Sequence, residues 1–344
     1  TKPTQHSVKQ LLEAGVSPDV LICRTRDPLS ENAKRKISLF CNVHESAVIS
    51  AHDVGNVYNL PLMFDEEGLG NLLLKRLSLQ IKRKDMSGWK KIVGQMERAT
   101  KTVRIAMVGK YIRFPDTYLS INEALKHAAG VNDCKVEIDW MDAERFEKSA
   151  VELASLRDYG GILIPGGFGQ RGSEGKVAAI SYAKDHSIPF LGLCFGFQLA
   201  VVEFARSMGL KRANSTELDV DTPYPVIGIL PEQDKVSGLG GTMRLGAHDI
   251  RIARGTRAYQ IYGKEKIQER HRHRYEVNPK YIERLTKNGL KFSGKSLDGR
   301  RMEILELPEH RFFMATQFHP EFKSRPGKPS PVFEAFVKAA LGKM

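Results

Sequence analysis

The sequence predicts an α/β protein of two units joined by a helical segment, and three observations carry that expectation. Apolar runs alternate with helix-period segments over residues 103–193, a shorter strand-and-helix stretch fills residues 1–61, and residues 69–99 between them have helical periodicity alone. The length of 344 residues exceeds one typical domain, and 41% hydrophobic content suffices for ordinary globular cores.

In the first stretch the expected elements are a polar-capped helix after Pro3, a strand at 20–23, a helix at 31–40 and a strand at 47–50. Two short strands bury little apolar surface, so this stretch reads as a piece of a domain. Over residues 69–99, Trp89, Ile92, Val93 and Met96 share one helix face at i, i+3, i+4 and i+7, while Lys82, Arg83, Lys84, Lys90 and Lys91 read as its solvated side. The second unit opens with a strand at 103–108 and a helix at 118–129, then strands at 136–140 and 161–164, a helix at 174–185 and a strand at 188–193. That alternation predicts a mostly parallel sheet covered by helices on both faces. Beyond Ala213 the pattern is mixed, and residues 238–246 read as a glycine-rich loop.

Composition narrows the function classes. Apolar runs are too short for a membrane span and no secretory signal is present, so a soluble, cytoplasmic protein with no membrane partner is expected. The first residue is Thr1, and sequence upstream of it is expected. Cys23, Cys41, Cys134 and Cys194 are scattered without a Cys-x-x-Cys pair, which fits a reducing compartment. The net charge of +13 is spread without interleaved aromatic residues, so nucleic acid is not the expected partner. Nucleotide phosphates, an acidic missing part or a plain basic surface all accommodate that charge.

The sharpest local signal is Gly192-Leu193-Cys194-Phe195-Gly196, where a buried strand meets a helix at one cysteine. Glycines on both sides permit the tight turn of a nucleophile elbow, and a helix N-terminus favours the reactive thiolate. In Phe318-His319-Pro320-Glu321, an extended backbone projects His319 and Glu321 to the same side, so Glu321 can orient the imidazole that exchanges protons with Cys194. A third segment, Pro165-Gly166-Gly167-Phe168-Gly169, ends a strand in a loop whose N–H groups could form an oxyanion hole. Gly167-x-Gly169-x-x-Gly172 is formally a dinucleotide fingerprint, but the acidic residue that should follow about 20 positions on is missing. Gly175-Lys176-Val177 and Val108-Gly109-Lys110-Tyr111 both fail as phosphate loops. His271-x-His273 suggests a metal pair without a specified third ligand, and no metal is expected in this chain.

Taken together, the segments around Gly167, Cys194 and His319 resemble the class I glutamine amidotransferases. Residues 1–8, 269–278 and 324–331 narrow the resemblance to the cytidine triphosphate synthase family, over essentially the whole chain. The resemblance implies a flavodoxin-like glutaminase fold plus a partial P-loop-type α/β synthetase domain. It divides the chain into a synthetase remnant at 1–64, a helical linker at 65–101 and a glutamine amidotransferase domain at 102–344.

For individual residues it implies Cys194, His319 and Glu321 as catalytic and the N–H groups of Gly167 and Phe195 as the oxyanion hole. Glu217 is implied for the glutamine ammonium, Arg274 for its carboxylate and Phe168 for the pocket wall. Lys2, Thr4, Gln5 and Lys36 are implied for UTP or CTP, Val54 for ATP, and Arg244 for a lid associated with GTP. Plainer readings stand beside these: Thr4 as a helix N-cap, Lys36 on a solvated face, Glu217 as a loop carboxylate. The implied reaction is glutamine hydrolysis supplying ammonia for ATP-dependent amination of UTP, with GTP as activator, CTP as feedback inhibitor and a homotetrameric assembly. ATP and magnesium belong to the synthetase part, whose phosphate loop and metal ligands are expected upstream of Thr1; the glutaminase step needs no cofactor. Two alternatives remain open: a cysteine hydrolase of another γ-glutamyl substrate, and an inert assembly or regulatory module.

Overall fold

The computed structural model describes residues 1–80, 84–110, 115–229 and 243–342. Lys82, Arg83, Tyr111 and the 238–242 part of the expected glycine-rich loop lie outside the described residues. Two compact units result, Thr1–Glu97 and Arg98–Met344. Among the described residues no helix is long and apolar enough to cross a membrane.

The first unit contains α1 (Lys2–Glu13), β1 (Leu21–Thr25), α2 (Glu31–Cys41), β2 (Val48–His52), α3 (Leu60–Glu66), α4 (Leu69–Arg76) and α5 (Ser87–Arg98). β1 and β2 pair in parallel, with Leu21 opposite Val48. The Ser30 hydroxyl caps α2 by accepting from the Ala33 N–H, and Asn42 closes the helix in the left-handed region at φ 52°. Thr1, not Thr4, is the N-cap of α1; Pro3 suits the first turn, which places Thr4 inside the helix. The predicted helical segment is interrupted, forming α4 and α5 rather than one rod. Val93 is buried at its centre, and the Trp89 indole donates to the Tyr58 carbonyl at 2.8 Å. Val8, Ile37, Cys41, Ala47 and Val48 make a small core, while Ile22, Leu39 and Phe40 stay exposed.

The second unit begins β3 (Lys101–Gly109), α6 (Leu119–Val131), β4 (Cys134–Asp142), α7 (Ala143–Phe146), α8 (Ala150–Ala154), β5 (Gly161–Ile164) and α9 (Ser173–Asp185). It continues with β6 (Phe190–Leu193), α10 (Phe195–Ser207), β7 (Ala213–Ser215), β8 (Tyr224–Gly228), β9 (Arg244–Ile252) and α11 (Arg257–Tyr262). The last elements are β10 (Lys266–His273), β11 (Glu276–Val277), α12 (Pro279–Lys287), β12 (Lys291–Ser296), β13 (Met302–Glu306), β14 (Phe313–Thr316) and α13 (Pro331–Ala340). Nine strands form one sheet in the order β10-β9-β12-β13-β14-β6-β5-β3-β4. The five from β14 to β4 run parallel, and the rest are antiparallel. Along β3, Ile105 and Met107 enter one core and Ala106 and Val108 the other, which is why the strand is apolar at every position from Ile105 to Val108. Part of the expected loop is strand: Arg244 to Gly246 open β9 and pair with His273 to His271 of β10. Gly246 sits there at φ +87°, a conformation that disguises a strand as a loop when only residue types are read.

Candidate active site

β5, β6 and β14 are neighbours in the parallel half of the sheet, and all three deliver their following residues to the same carboxyl edge. From β5 comes the 165–169 loop, from β6 comes Cys194, and His319 and Glu321 follow β14. Segments far apart in sequence thus converge on one point.

Cys194 is the N-cap of α10 with φ 51° and ψ −97°, a strained backbone for a residue with a Cβ. Its N–H donates to the Thr316 carbonyl at 2.7 Å, fastening the turn to β14. The flanking glycines are there for contact: a Cβ on Gly192 would meet the Gly196 carbonyl oxygen at 2.8 Å, and one on Gly196 would meet that of Ile164 at 2.4 Å. Cys194 is 5% exposed, with its sulfur 3.6 Å from the Arg272 carbonyl and 3.9 Å from the Gln317 amide nitrogen.

His319 Nδ1 and Glu321 Oε1 are 2.8 Å apart, in the side-chain arrangement read from the sequence. That bond commits Nδ1 and leaves Nε2 for the sulfur. Burial opposes a charge on His319, but Cys194 and the Glu321 carboxylate outweigh it and hold the imidazole protonated well above its ordinary range. The His319 N–H is anchored on the Arg270 carbonyl at 2.9 Å. Gly166 faces the pair, since a Cβ there would stand 3.0 Å from His319 Cε1 and 3.6 Å from Cys194 Cβ. Phe195 is the first residue of α10, where a helix leaves its N–H without an internal partner.

Glu217 lies beyond β7, and its Oε1 accepts from the Gly169 N–H at 2.8 Å. Burial pushes its carboxyl up, while the Gly169 N–H, Lys110 and Arg274 pull it down. Arg274 follows β10 and is half-buried. Phe168 is 65% exposed at the mouth of the site, with Lys110 Nζ 4.8 Å from its ring centroid and bonded to its carbonyl. Lys110 fails as part of a phosphate loop, but its place directly after β3 brings it to the site.

The residues expected to meet nucleotides are on the first unit. Lys2, Thr4 and Gln5 occupy the first turn of α1, Lys36 is exposed on α2, and Val54 follows β2. Among the described residues no hydrogen bond or ion pair joins Lys2, Gln5 and Lys36. Arg244 differs from its expected role as a free anion donor: its guanidinium is 2.5 Å from Glu303 and 3.9 Å from Glu276, with the side chain 9% exposed. Glu303 is also the third ligand that the sequence did not offer beside His271 and His273. The group does not suit an ion, because His271 Nδ1 and His273 Nε2 are at hydrogen-bond distance, 3.0 Å, and Arg244 already supplies Glu303 with a cation. Among the described residues no other three His, Cys, Asp or Glu side chains stand close enough to share a metal.

Residues 113–339 match the family model described as glutamine amidotransferase class-I, and residues 1–79 match that of the CTP synthase N-terminus. The chain is 58% identical over 342 residues to a CTP synthase of Pyrococcus furiosus, covering 99% of this chain and 63% of that protein. A CTP synthase of Methanosarcina mazei is 54% identical over 340 residues, with 98% of this chain and 63% of that one covered. This chain therefore spans 63% of the length of these relatives. Among solved structures, the glutaminase domain of Trypanosoma brucei CTPS with bound acivicin is 38% identical and superposes with a TM-score of 0.67, covering 70% of this chain and 95% of that one. Fold, site and sequence agree: the chain belongs to the class I glutamine amidotransferase family, in the branch formed by the CTP synthases.

Proposed function

We propose that this chain hydrolyses glutamine through a γ-glutamyl thioester on Cys194, and that in the longer protein the ammonia aminates UTP to CTP at the expense of ATP. The observation that supports this reading most is the 2.8 Å His319–Glu321 bond set against Cys194 at the carboxyl edge of three parallel strands. The sulfur attacks the side-chain amide, Gly167 and Phe195 N–H groups receive the oxyanion, and His319 protonates departing ammonia before activating water. Glu217 and Arg274 take the ammonium and carboxylate of free glutamine, a pair that a peptide substrate would not require. Lys2, Thr4, Gln5 and Lys36 are proposed as a rim for the pyrimidine nucleotide and Val54 for ATP, with GTP activation, CTP feedback and a homotetramer belonging to the complete protein. Arg244 is proposed to serve GTP activation through its buried ion pair rather than by direct anion contact.

Acivicin, the compound bound by the trypanosome domain, should form one adduct on this chain, at Cys194, with loss of ammonia release. Labelling elsewhere, with ammonia release intact, would refute the covalent mechanism. Given UTP, ATP, magnesium and free ammonia, this chain alone should form no CTP, because its residues include no identifiable phosphate cradle to position a triphosphate. CTP above a no-protein control would overturn that expectation.

A further inference from the structure

Lys176, on the first turn of α9, is 1% exposed. Its ammonium has no ion pair or hydrogen bond among the described residues. Close to it are the Phe195 ring, whose centroid is 5.1 Å from Nζ, and the backbone of Gly167, where a Cβ would stand 3.7 Å from Nζ. A buried ammonium without a counter-charge is costly, and an apolar side chain of the same length would fill the space without that cost. Burial, aided by the charges of Lys110 and Arg171, drives its pKa down to about 7. Gly167 and Phe195, both close to the Lys176 ammonium, are the two residues whose N–H groups form the proposed oxyanion hole.

We propose that Lys176 is a positioning residue of the oxyanion site, its charge standing behind Gly167 and Phe195 and favouring the negative oxygen that forms when Cys194 attacks the glutamine side chain. This inference rests on the glutaminase reading above. As sulfur bonds to the amide carbon, the carbonyl π pair moves onto oxygen. When the nitrogen leaves as ammonia with a proton from His319, that pair returns and restores the carbonyl of the thioester. Lys176 neither gives nor takes a proton in this sequence. It lacks a counter-charge at rest and gains one only between those two events, so its field acts on the transition state rather than on bound glutamine. Water exclusion around Nζ keeps that field weakly screened.

Lys176→Met keeps the length of the side chain and removes its charge. In the 344-residue chain, kcat for ammonia release should fall about 10- to 100-fold while KM for glutamine changes less than about 3-fold. Glutamate γ-semialdehyde, which adds to a thiol as a tetrahedral hemithioacetal, should bind more weakly by the same factor as kcat. The Tm should match or exceed that of the unmodified chain, because an uncompensated buried charge has been removed. An unchanged kcat overturns the proposal. So does a joint loss of kcat, glutamine affinity and Tm, which is the mark of a packing role. If the unmodified chain releases no ammonia, the glutaminase reading itself fails, a result distinct from either. Should Lys176→Met not fold, Lys176→Gln removes the same charge and takes the same measurements.

Discussion

The two units of this chain use the same elements and reach different degrees of closure. In the first, two parallel strands make up the sheet among the described residues, and Ile22, Leu39 and Phe40 are 54%, 78% and 61% exposed. In the second, a nine-stranded sheet has β5, β6 and β14 buried at every position, and Phe190, Phe197 and Phe333 are 0% exposed. A parallel sheet is stable when helices cover both its faces, and two strands alone are marginal. Chemistry that needs side chains held in fixed geometry therefore stands at the centre of the closed sheet. The residues proposed for nucleotides sit on α1, α2 and the end of β2, a half-built surface.

The largest effect expected is at the closed site. Cys194→Ala should lower glutamine hydrolysis by at least about three orders of magnitude while glutamine still binds, and Glu321→Gln should cost less, since it removes orientation and charge but not the attacking atom. Steady-state ammonia release and calorimetric glutamine binding check both; equal losses with altered circular dichroism would mean that Glu321 holds the fold instead. Next comes a direct test of the contrast. Phe197→Ala should destabilise the second unit by about 3–5 kcal/mol, whereas Phe40→Ala should change stability by no more than about 0.5 kcal/mol in urea unfolding. Similar costs would show that Phe40 is covered in solution and that the contrast is false. The smallest effect is in pH. Lys176 has a folded pKa of about 7 against an ordinary 10.5, so between those values the unfolded chain holds a proton that the native chain lacks, and stability rises with pH across that window. Lys176→Met removes this slope, so its Tm advantage should be greatest near about pH 6 and shrink toward about pH 10. An advantage that does not vary with pH would mean that Lys176 keeps an ordinary affinity for protons in the folded chain.

Legibility in the sequence followed the same division of physical causes. The β–α alternation from β3 to β6 was readable because residues 105–108 of β3 and all of β5 and β6 are apolar and buried. Gly192 and Gly196 announced the elbow because the carbonyls of Gly196 and Ile164 leave no room for a Cβ. β9 and β10 were hidden, since charged and polar residues on alternate positions and the φ +87° glycine at 246 erase an apolar run. Buried charge was the other blind spot. Lys176 belongs to a segment that fails as a phosphate loop, yet it shares a helix face with Ala179, Ile180 and Ala183, all buried at i+3, i+4 and i+7. Nothing in the residue types marks Glu276 and Glu303 as buried; only the fold brings them to Arg244.

β14 is the last strand in the chain and the middle strand of the nine. A molecule emerging from the ribosome therefore carries its cysteine long before the histidine that serves it. Without β14 between β13 and β6 the sheet would fall into two parts and Cys194 would lack the imidazole beside it. On the reading proposed above, glutamine hydrolysis therefore depends on the sheet being closed across β14.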